Sequence, residues 1–251
     1  MTGYRADRIA VFAGPSLAGW NAVPPFERLP PAGAGDMLRL VAGPPQTVVL
    51  VDGVFGARPA VWHKEILLLL SRGFRVIGAA SMGALRAAEL DGFGMIGCGH
   101  IYRAYADGRI TGDDKVAVIH APPALGSRPL SLAQVNVRAT LLRAVREKVL
   151  TAGQARQVRA ASAAIHFRDR NWPAVAAASA CDFAPWVAAN AIDIKAIDAR
   201  AALGLAAQLA PIEPVCAPQP PQTPFLLRLA SAVADDCYCG GSSAQRPASS
   251  P

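Results

Sequence analysis

Ser81 lies where a predicted strand gives way to a predicted helix, in the segment 79–83, which reads Ala-Ala-Ser-Met-Gly. The order strand, Ser, any residue, Gly, helix is the context of a nucleophile elbow, a tight turn that exposes the serine oxygen, although alanine replaces the first glycine of that pattern. The amides of Met82 and Gly83 and the N-terminus of the following helix would stabilise a developing oxyanion. Serine is also a preferred helix N-cap residue. Ser81 is therefore either the nucleophile of an acyl-transfer reaction or a helix cap.

A serine nucleophile needs a base, and four side chains are candidates for that role. Lys64 and His63 lie early in the helix that is predicted to follow Asp52, and a lysine with a depressed pKa can activate a serine. His100 and His120 are the other candidates. Each of them also has an ordinary structural explanation, as a packed histidine or a solvated lysine. Asp52 would orient the base or bind a cationic group, or it is a turn residue after a strand.

The first hundred residues alternate between strand-like and helix-like patterns. Continuous apolar strands separated by helices predict an open, parallel, Rossmann-like α/β sheet with helices on both faces. The predicted strands are residues 9–13, 47–51 and 74–80, and the predicted helices are 36–41, 60–71 and 83–90.

The carboxyl ends of these strands carry small and polar residues. In an open α/β sheet, ligands bind in the crevice at this edge, so residues that follow different strands are brought together there. The sequence therefore predicts a site at the strand ends, built from Gly14 and Ser16, Asp52 and Gly53, and Ser81 and Gly83.

The second half of the chain is predicted to be mostly helical, with helices near 130–150, 153–167 and 194–209. We expect an α/β core at 1–125 and a helical extension packed on it at 126–211. From about residue 212 the composition turns rich in proline and then in glycine and serine, which predicts a disordered tail at 212–251.

Composition limits the classes of function. Of the 251 residues, 52% are hydrophobic and 17% charged, which is enough apolar surface for a sizeable core. The formal net charge of +7 comes mostly from dispersed arginines without a dense basic run, so nucleic-acid binding is not expected. The five cysteines are irregularly spaced, which argues against a disulfide framework. No motif for a metal or a nucleotide is present, and we expect neither a metal nor another cofactor.

No segment is typical of a membrane span or a signal peptide. The most apolar stretch, residues 66–85, is interrupted by Arg72, Gly73 and Arg75, whereas a spanning helix needs about 20 mostly apolar residues. The apolar run near the N-terminus is short and indicates a strand. The expectation is a cytoplasmic protein without a membrane partner.

Two charged pairs have simple local explanations. Arg86 and Glu89 are three residues apart on one predicted helix and are expected to pair. Asp113 and Asp114 follow Gly112 and are typical of a turn or a helix start.

In sequence order these motifs resemble the TfuA family. The resemblance covers about residues 9–170 and is most specific in the ordered string around Ser81, residues 78–90. Lys115 departs from the pattern, because an acidic residue is expected after Asp113 and Asp114. Other matching segments are 11–16, 51–55, 61–66, 101–102, 112–114, 116–118, 120–122, 129–131 and 135–140, with less distinct ones at 169–173 and 195–198.

The resemblance implies a partner of YcaO-type enzymes, which use ATP to exchange a peptide amide oxygen for sulfur. The TfuA-like partner would hydrolyse the C-terminal Gly-Gly thiocarboxylate of a ThiS-like carrier protein and release sulfide. It would meet the precursor peptide through YcaO. The ATP chemistry would belong to YcaO, in agreement with the missing nucleotide motif.

In that reaction Ser81 would attack the carbonyl carbon, and Lys64 or His120 would take the serine proton. Gly14 and Gly53 would admit the Gly-Gly tail, since backbone can approach glycine closely. The remaining residues expected to bind substrate are Ser16, His63, Met82, Gly83 and Arg86.

Three alternatives stay open at this point. In the first, the chain is a non-catalytic adaptor that binds YcaO and presents the peptide or the sulfur carrier. In the second, the chain is a persulfide carrier that uses Cys98, which lies between two glycines and is expected in an exposed loop. In the third, the chain is an esterase-like hydrolase of small molecules.

Overall fold

The computed structural model describes residues 8–44, 46–56, 58–181, 183–210 and 219–239. These residues contain a five-stranded parallel sheet in the order β2-β1-β3-β4-β5. The predicted open parallel α/β fold is confirmed. The strands are β1 (Ile9–Phe12), β2 (Phe26–Leu29), β3 (Thr47–Leu50), β4 (Arg75–Ala79) and β5 (Ile96–Cys98).

The strand order reverses between β1 and β3. The chain runs outward from β1 to the edge strand β2, and then crosses back to β3 on the other side of β1. Strands β1 and β3 are in register, with Val11 opposite Val49 and Phe12 opposite Leu50. Loops diverge from such a reversal and leave a crevice at the carboxyl ends of the two strands.

The helices in the described part of the chain alternate with the strands at first and follow one another later. Short 3₁₀ turns occur at Pro15–Leu17, Leu38–Leu40, Asp91–Phe93, Asp113–Lys115 and Pro123–Leu125. The α-helices are α1 (His63–Ser71), α2 (Met82–Leu90), α3 (Gly99–Ala106), α4 (Gln134–Arg146), α5 (Ala152–Ala164), α6 (Trp172–Ser179), α7 (Ala184–Asn190), α8 (Ile194–Gln208) and α9 (Pro224–Cys239).

Alternate side chains of the strands build two cores, as the two-residue period of a strand requires. Residues such as Phe12 and Leu50 pack with Ile66 and Leu69 of α1 on one face of the sheet. The opposite face is covered by α8, a late helix in the sequence. Small side chains of α8 pack on this face, among them Ala199, Ala202 and Ala206. They contact strand residues such as Val11, Val49 and Ile77.

Helices α4–α7 share a cluster of their own, which includes Val137, Leu141, Val158 and Phe183. Helix α8 continues the chain from this cluster and returns to the sheet. The predicted boundary between core and extension at residue 125 therefore stays a prediction, because α8 belongs to the extension in sequence and to the sheet in packing.

The local predictions were wrong in three places. The helix expected at 36–41 is the 3₁₀ turn Leu38–Leu40. Strands β2 and β5 were not predicted, because β2 contains two charged residues and β5 has three residues.

Part of the predicted tail forms helix α9 (Pro224–Cys239). Phe225 of this helix stacks on Trp62 with ring centroids 3.6 Å apart, and Leu226 is buried. The Pro-rich composition around this segment hid its helical pattern. The rest of the predicted tail, at 211–218 and 240–251, lies outside the described residues.

None of the helices in the described ranges combines the length and the apolar character that crossing a membrane requires.

Glu65 fixes the start of α1. It is fully buried, and its two carboxylate oxygens accept the amides of Trp62 at 3.0 Å and Gly35 at 2.8 Å. It thereby joins the first turn of α1 to the loop after β2. Burial raises the pKa of the Glu65 carboxyl from 4.5 to about 7, against the opposing effect of these two hydrogen bonds.

This pKa predicts a loss of stability as the pH rises. The folded protein binds the Glu65 proton more tightly than the unfolded chain does. The stabilising contribution is therefore complete below pH 4.5 and disappears as the pH rises through about 7. We expect Glu65 to account for a fall of about 3 kcal/mol in the free energy of unfolding across this window, a fall absent from Glu65→Gln. Urea titrations at several pH values measure it.

Glu27→Gln, on the half-exposed strand β2, is the matched control, and the fall that depends on Glu65 should remain in it. Equal slopes for the wild type and Glu65→Gln would contradict the prediction.

Candidate active site

The Asp52 carboxylate, two residues after the end of β3, organises the crevice. It is almost fully buried, and its Oδ2 accepts the amides of Gly14 at 2.8 Å and Ser16 at 2.9 Å. Its Oδ1 accepts the Ser16 hydroxyl at 2.7 Å. One side chain thus holds the loop after β1 against the end of β3, at the point where the strand order reverses.

Ser81 follows β4 on a tight turn. The amide of Ser81 donates to the carbonyl of Ala79 at 2.7 Å, and Ala80 between them has a φ of 65°. A left-handed φ is uncommon for a residue other than glycine, so the turn is strained immediately before the serine.

Ser81 occupies the N-cap position of α2, but its side chain makes no capping hydrogen bond. Among the described residues, the hydroxyl has no hydrogen-bond partner, although the residue is only 2% exposed and lines a cavity. Ser81 is therefore at the position of a helix cap, but its hydroxyl does not make the hydrogen bond of a cap.

The start of α2 lies unusually close to β3, and glycine makes this possible. A Cβ on Gly83 would lie 1.7 Å from the carbonyl oxygen of Leu50, and one on Gly78 would lie 2.2 Å from the carbonyl oxygen of Gly83. The amide of Gly83 donates to the carbonyl of Val51 at 3.2 Å. Both glycines are needed to bring Ser81 to the end of β3.

A cavity of about 300 Å³, here called the serine cavity, opens at this edge of the sheet. It brings together four of the residues that the sequence predicted for the site, namely Asp52, Gly53, Ser81 and His120. Its other lining residues are Pro15, Val54, Phe55, Gly56, Val116, Val118, Ile119, Phe167, Arg168 and Lys195.

His120 enters the cavity with a defined tautomer. Its Nδ1 lies 2.8 Å from the carbonyl oxygen of Ala121. A carbonyl oxygen can only accept, so Nδ1 carries the hydrogen. In the neutral ring the Nε2 atom then holds a lone pair and is able to accept a proton.

Lys195, at the start of α8, was not predicted for the site. It is only 3% exposed, and its Nζ donates to the carbonyl of Val116 at 2.7 Å and lies 3.9 Å from Oδ1 of Asp52. Burial lowers the pKa of Lys195, while the charges of Asp52 and Asp193 oppose that effect. The sequence offered one hint, since segment 195–198 resembled the family, but it assigned no role to this lysine.

The backbone amides near Ser81 differ in their availability. Those of Gly14 and Ser16 donate to Asp52, and that of Gly83 donates to Val51. The amides of Met82 and Gly53 make no hydrogen bond within the described ranges. Of the two amides expected to hold an oxyanion, Met82 is free to do so and Gly83 is not.

Four other predicted residues, His63, Lys64, Arg86 and His100, lie outside the serine cavity. Glu89 accepts Arg86 at 2.7 Å, as expected, and lies 2.8 Å from Nε2 of His63. Arg86 also donates to the carbonyl of Val61. Lys64 is half-buried in the first turn of α1 and does not line the serine cavity. His100, on α3, lies beside Asp198 of α8.

Two further cavities adjoin the serine cavity. The arginine cavity, of about 470 Å³, contains Arg58, Met82 and Arg86 and shares the wall Val54, Phe55 and Gly56 with it. The asparagine cavity, of about 230 Å³, is lined by Ser16, Asn136, Trp172 and Asp193 among others, and shares Pro15, Val118 and Lys195 with the serine cavity.

The glycines expected to admit a substrate tail have structural reasons within the chain. A Cβ on Gly14 would lie 2.5 Å from the Pro31 side chain, and one on Gly53 would lie 2.7 Å from Met82. Gly53 lines the serine cavity and Gly14 does not. Close packing of the chain on itself is sufficient to explain both.

The fold and the cavity define an α/β protein whose serine, histidine and lysine converge at the reversal of a parallel sheet. Residues 52–171 match the family model of TfuA-like proteins, and this match supports a TfuA family protein. The family is associated with YcaO-linked thioamide biosynthesis. No curated protein matches the chain. The matched region contains Asp52, Ser81 and His120, whereas β1 and Lys195 lie outside it.

The close approach of α2 and β3 predicts that Gly83 cannot be replaced. In Gly83→Ala the new Cβ would collide with backbone at Leu50, which cannot move without displacing β3. We expect this variant to lose at least about 3 kcal/mol of stability or to fail to fold. Chemical denaturation followed by circular dichroism measures the change.

Gly204→Ala is the matched control, because Gly204 lies on α8 with nothing within 4 Å of an added Cβ. It should gain about 0.5–1 kcal/mol from helix propensity. A stable, folded Gly83→Ala protein would contradict the close-approach argument.

Proposed function

We propose that the chain supports peptide backbone thioamidation as the partner of a YcaO-type enzyme, by hydrolysing the thiocarboxylate of a ThiS-like carrier protein to release sulfide. The observation that carries this proposal is the Ser81 hydroxyl, which caps no helix and lies in a cavity with His120. A nucleophile and a proton acceptor in one enclosed space are what acyl transfer needs.

In the first step the Ser81 oxygen attacks the carbonyl carbon of the thiocarboxylate, and Nε2 of His120 accepts the serine proton. The amides of Met82 and Gly53 stabilise the oxyanion. The C–S bond then breaks, and its electron pair stays on sulfur, which gains a proton and leaves as hydrosulfide. On balance the proton lost by Ser81 is the one that the sulfur gains, so His120 is neutral again when the step ends. The carrier remains as an ester on Ser81.

In the second step water attacks this ester. His120 accepts a proton from the water, and the C–O bond to Ser81 breaks as the serine oxygen regains a proton. The carrier leaves with an ordinary carboxylate. Hydrolysis thus consumes one water and returns Ser81 and His120 to their starting states.

The size and charge of the cavity suit such a substrate. A volume of about 300 Å³ is at the lower end for ligand pockets, which favours a slender chain terminus over a bulky small-molecule ester. The thiocarboxylate is an anion, and two of the lining residues, Arg168 and Lys195, are basic. The YcaO enzyme would bind the precursor peptide and supply the ATP chemistry.

The environment of Cys98 argues against the persulfide alternative. Cys98 ends β5 and does not lie in the exposed loop that was expected. Burial, followed by the charge of Asp198, raises the pKa of its thiol. A reactive cysteine needs the opposite shift, because the thiolate is the nucleophile.

We therefore expect Cys98→Ala to release sulfide at the wild-type rate, because sulfur transfer does not pass through this thiol. A methylene-blue assay for sulfide with a ThiS-type thiocarboxylate carrier measures the rate. A loss of activity in a folded Cys98→Ala protein would restore the persulfide alternative.

The same assay tests the serine. We expect Ser81→Ala to lose sulfide release by at least about 100-fold, because the acyl-enzyme cannot form. Ser71→Ala, at a buried serine on α1 that donates to the carbonyl of Leu68, should retain the wild-type rate. Trapping the carrier as an ester on Ser81, seen by intact-protein mass spectrometry, would give direct support.

Two results would count against hydrolysis. Release by Ser81→Ala at the wild-type rate would exclude the serine as nucleophile. A wild-type protein that releases no sulfide, even with a YcaO enzyme present, but tightens binding of the peptide by that enzyme would establish the adaptor function instead.

A further inference from the structure

The Lys195 ammonium has fewer hydrogen bonds than a buried cation requires. An ammonium carries three hydrogens. In the described part of the chain, Nζ donates to the carbonyl of Val116, while Oδ1 of Asp52 at 3.9 Å is too distant for a hydrogen bond. Burying a charge with unsatisfied donors is costly, so such a group is expected to serve a ligand or to give up its proton.

The position of Lys195 is fixed by its neighbours. Its own amide donates to Oδ1 of Asn136 at 3.3 Å, and Asp193 caps the start of α8 by accepting the amide of Ala196 at 3.0 Å. The side chain lines both the serine cavity and the asparagine cavity, and is therefore placed where the two meet. The N–H groups of Nζ that make no hydrogen bond within the described residues can therefore donate to a ligand in these cavities.

We propose that Lys195 binds the anionic sulfur of the carrier thiocarboxylate and donates a proton to that sulfur as it leaves. This inference rests on the proposed function and adds to it a residue that binds the substrate and protonates the leaving group.

The chemistry of the leaving group requires such a donor. The thiocarboxylate begins with one negative charge, and attack by Ser81 adds a second. Without a proton the sulfur would have to leave as the sulfide dianion, a far stronger base than hydrosulfide and a far poorer leaving group.

With a proton from Nζ, the C–S electron pair departs on hydrosulfide and Lys195 becomes a neutral amine. The proton that His120 took from Ser81 then returns to Lys195 through water, which restores both groups before the ester is hydrolysed.

The charged surroundings of Lys195 suit both roles. Asp52 on one side and Asp193 at the start of α8 keep the ammonium charged, while His120 and Arg168 line the serine cavity with it. The lowered pKa makes Lys195 a better acid than an exposed lysine. Sulfide release should therefore decline on the alkaline side at a lower pH than the pKa of an ordinary lysine allows.

Two substitutions separate binding from proton donation. Lys195→Arg keeps the charge but cannot give up a proton, so it should bind the carrier within about 10-fold of the wild type and lose sulfide release by about 100-fold or more. Lys195→Met should lose both. Lys148→Met, at an exposed lysine, should leave both unchanged.

Binding is measured without turnover, with thioacetate as the probe and Ser81→Ala as the host protein. Calorimetry should detect thioacetate binding in Ser81→Ala and lose it when Lys195→Met is added. Circular dichroism of each variant checks that the fold is retained.

The outcomes distinguish this inference from the proposed function. Wild-type sulfide release and an unchanged pH profile in folded Lys195→Arg would overturn proton donation, while loss of release in Ser81→Ala still supported hydrolysis. A wild-type protein that releases no sulfide but binds thioacetate through Lys195 would overturn hydrolysis and support the anion site. Unchanged thioacetate binding in folded Lys195→Met would overturn the anion site.

Discussion

The arrangement of the segments around the serine cavity depends on one buried carboxylate, that of Asp52. Asp52 accepts two amides and one hydroxyl from the loop after β1, and it stands 3.9 Å from the ammonium of Lys195 on α8. It therefore joins the middle of the sheet, its preceding loop and the helix that covers its second face. Removing a partner from a buried ionic group typically costs about 3–5 kcal/mol, because the other charge stays buried and unpaired. The serine cavity forms beside this junction because three separate segments are held there at once.

Local pattern was sufficient for the part of the fold in which strand and helix alternate. The apolar runs of β1, β3 and β4 were found because buried parallel strands have no polar face. Their polar ends placed Asp52, Gly53 and Ser81 correctly at one edge. Strand β2 was missed because charged residues are common at a sheet edge, and β5 because three residues carry little periodicity. Helix α9 was missed because its context is rich in proline.

The part of the site that was not predictable depends on tertiary contacts. Lys64 follows Asp52 closely in sequence, but the side chain of Lys64 on α1 does not line the serine cavity. The lysine that lines the cavity is Lys195 on α8. Nothing local to Lys195 encodes the return of α8 to the sheet, because an Ala-rich helix shows no strong apolar stripe. The reason for each glycine was likewise ambiguous from sequence. A side chain at Gly83 would collide with the backbone of β3, and one at Gly14 would collide with Pro31.

The order of the segments that meet at the cavity has a consequence for biosynthesis. β1 is made first and lies in the interior of the sheet, whereas the lysine beside it is carried by α8, which ends at Gln208. A ribosome must therefore translate most of the message before the centre is complete. Until α8 has left the exit tunnel, one face of the sheet has no cover and Asp52 lacks its cation. A nascent chain accordingly has no complete serine cavity before α8 has reached the sheet.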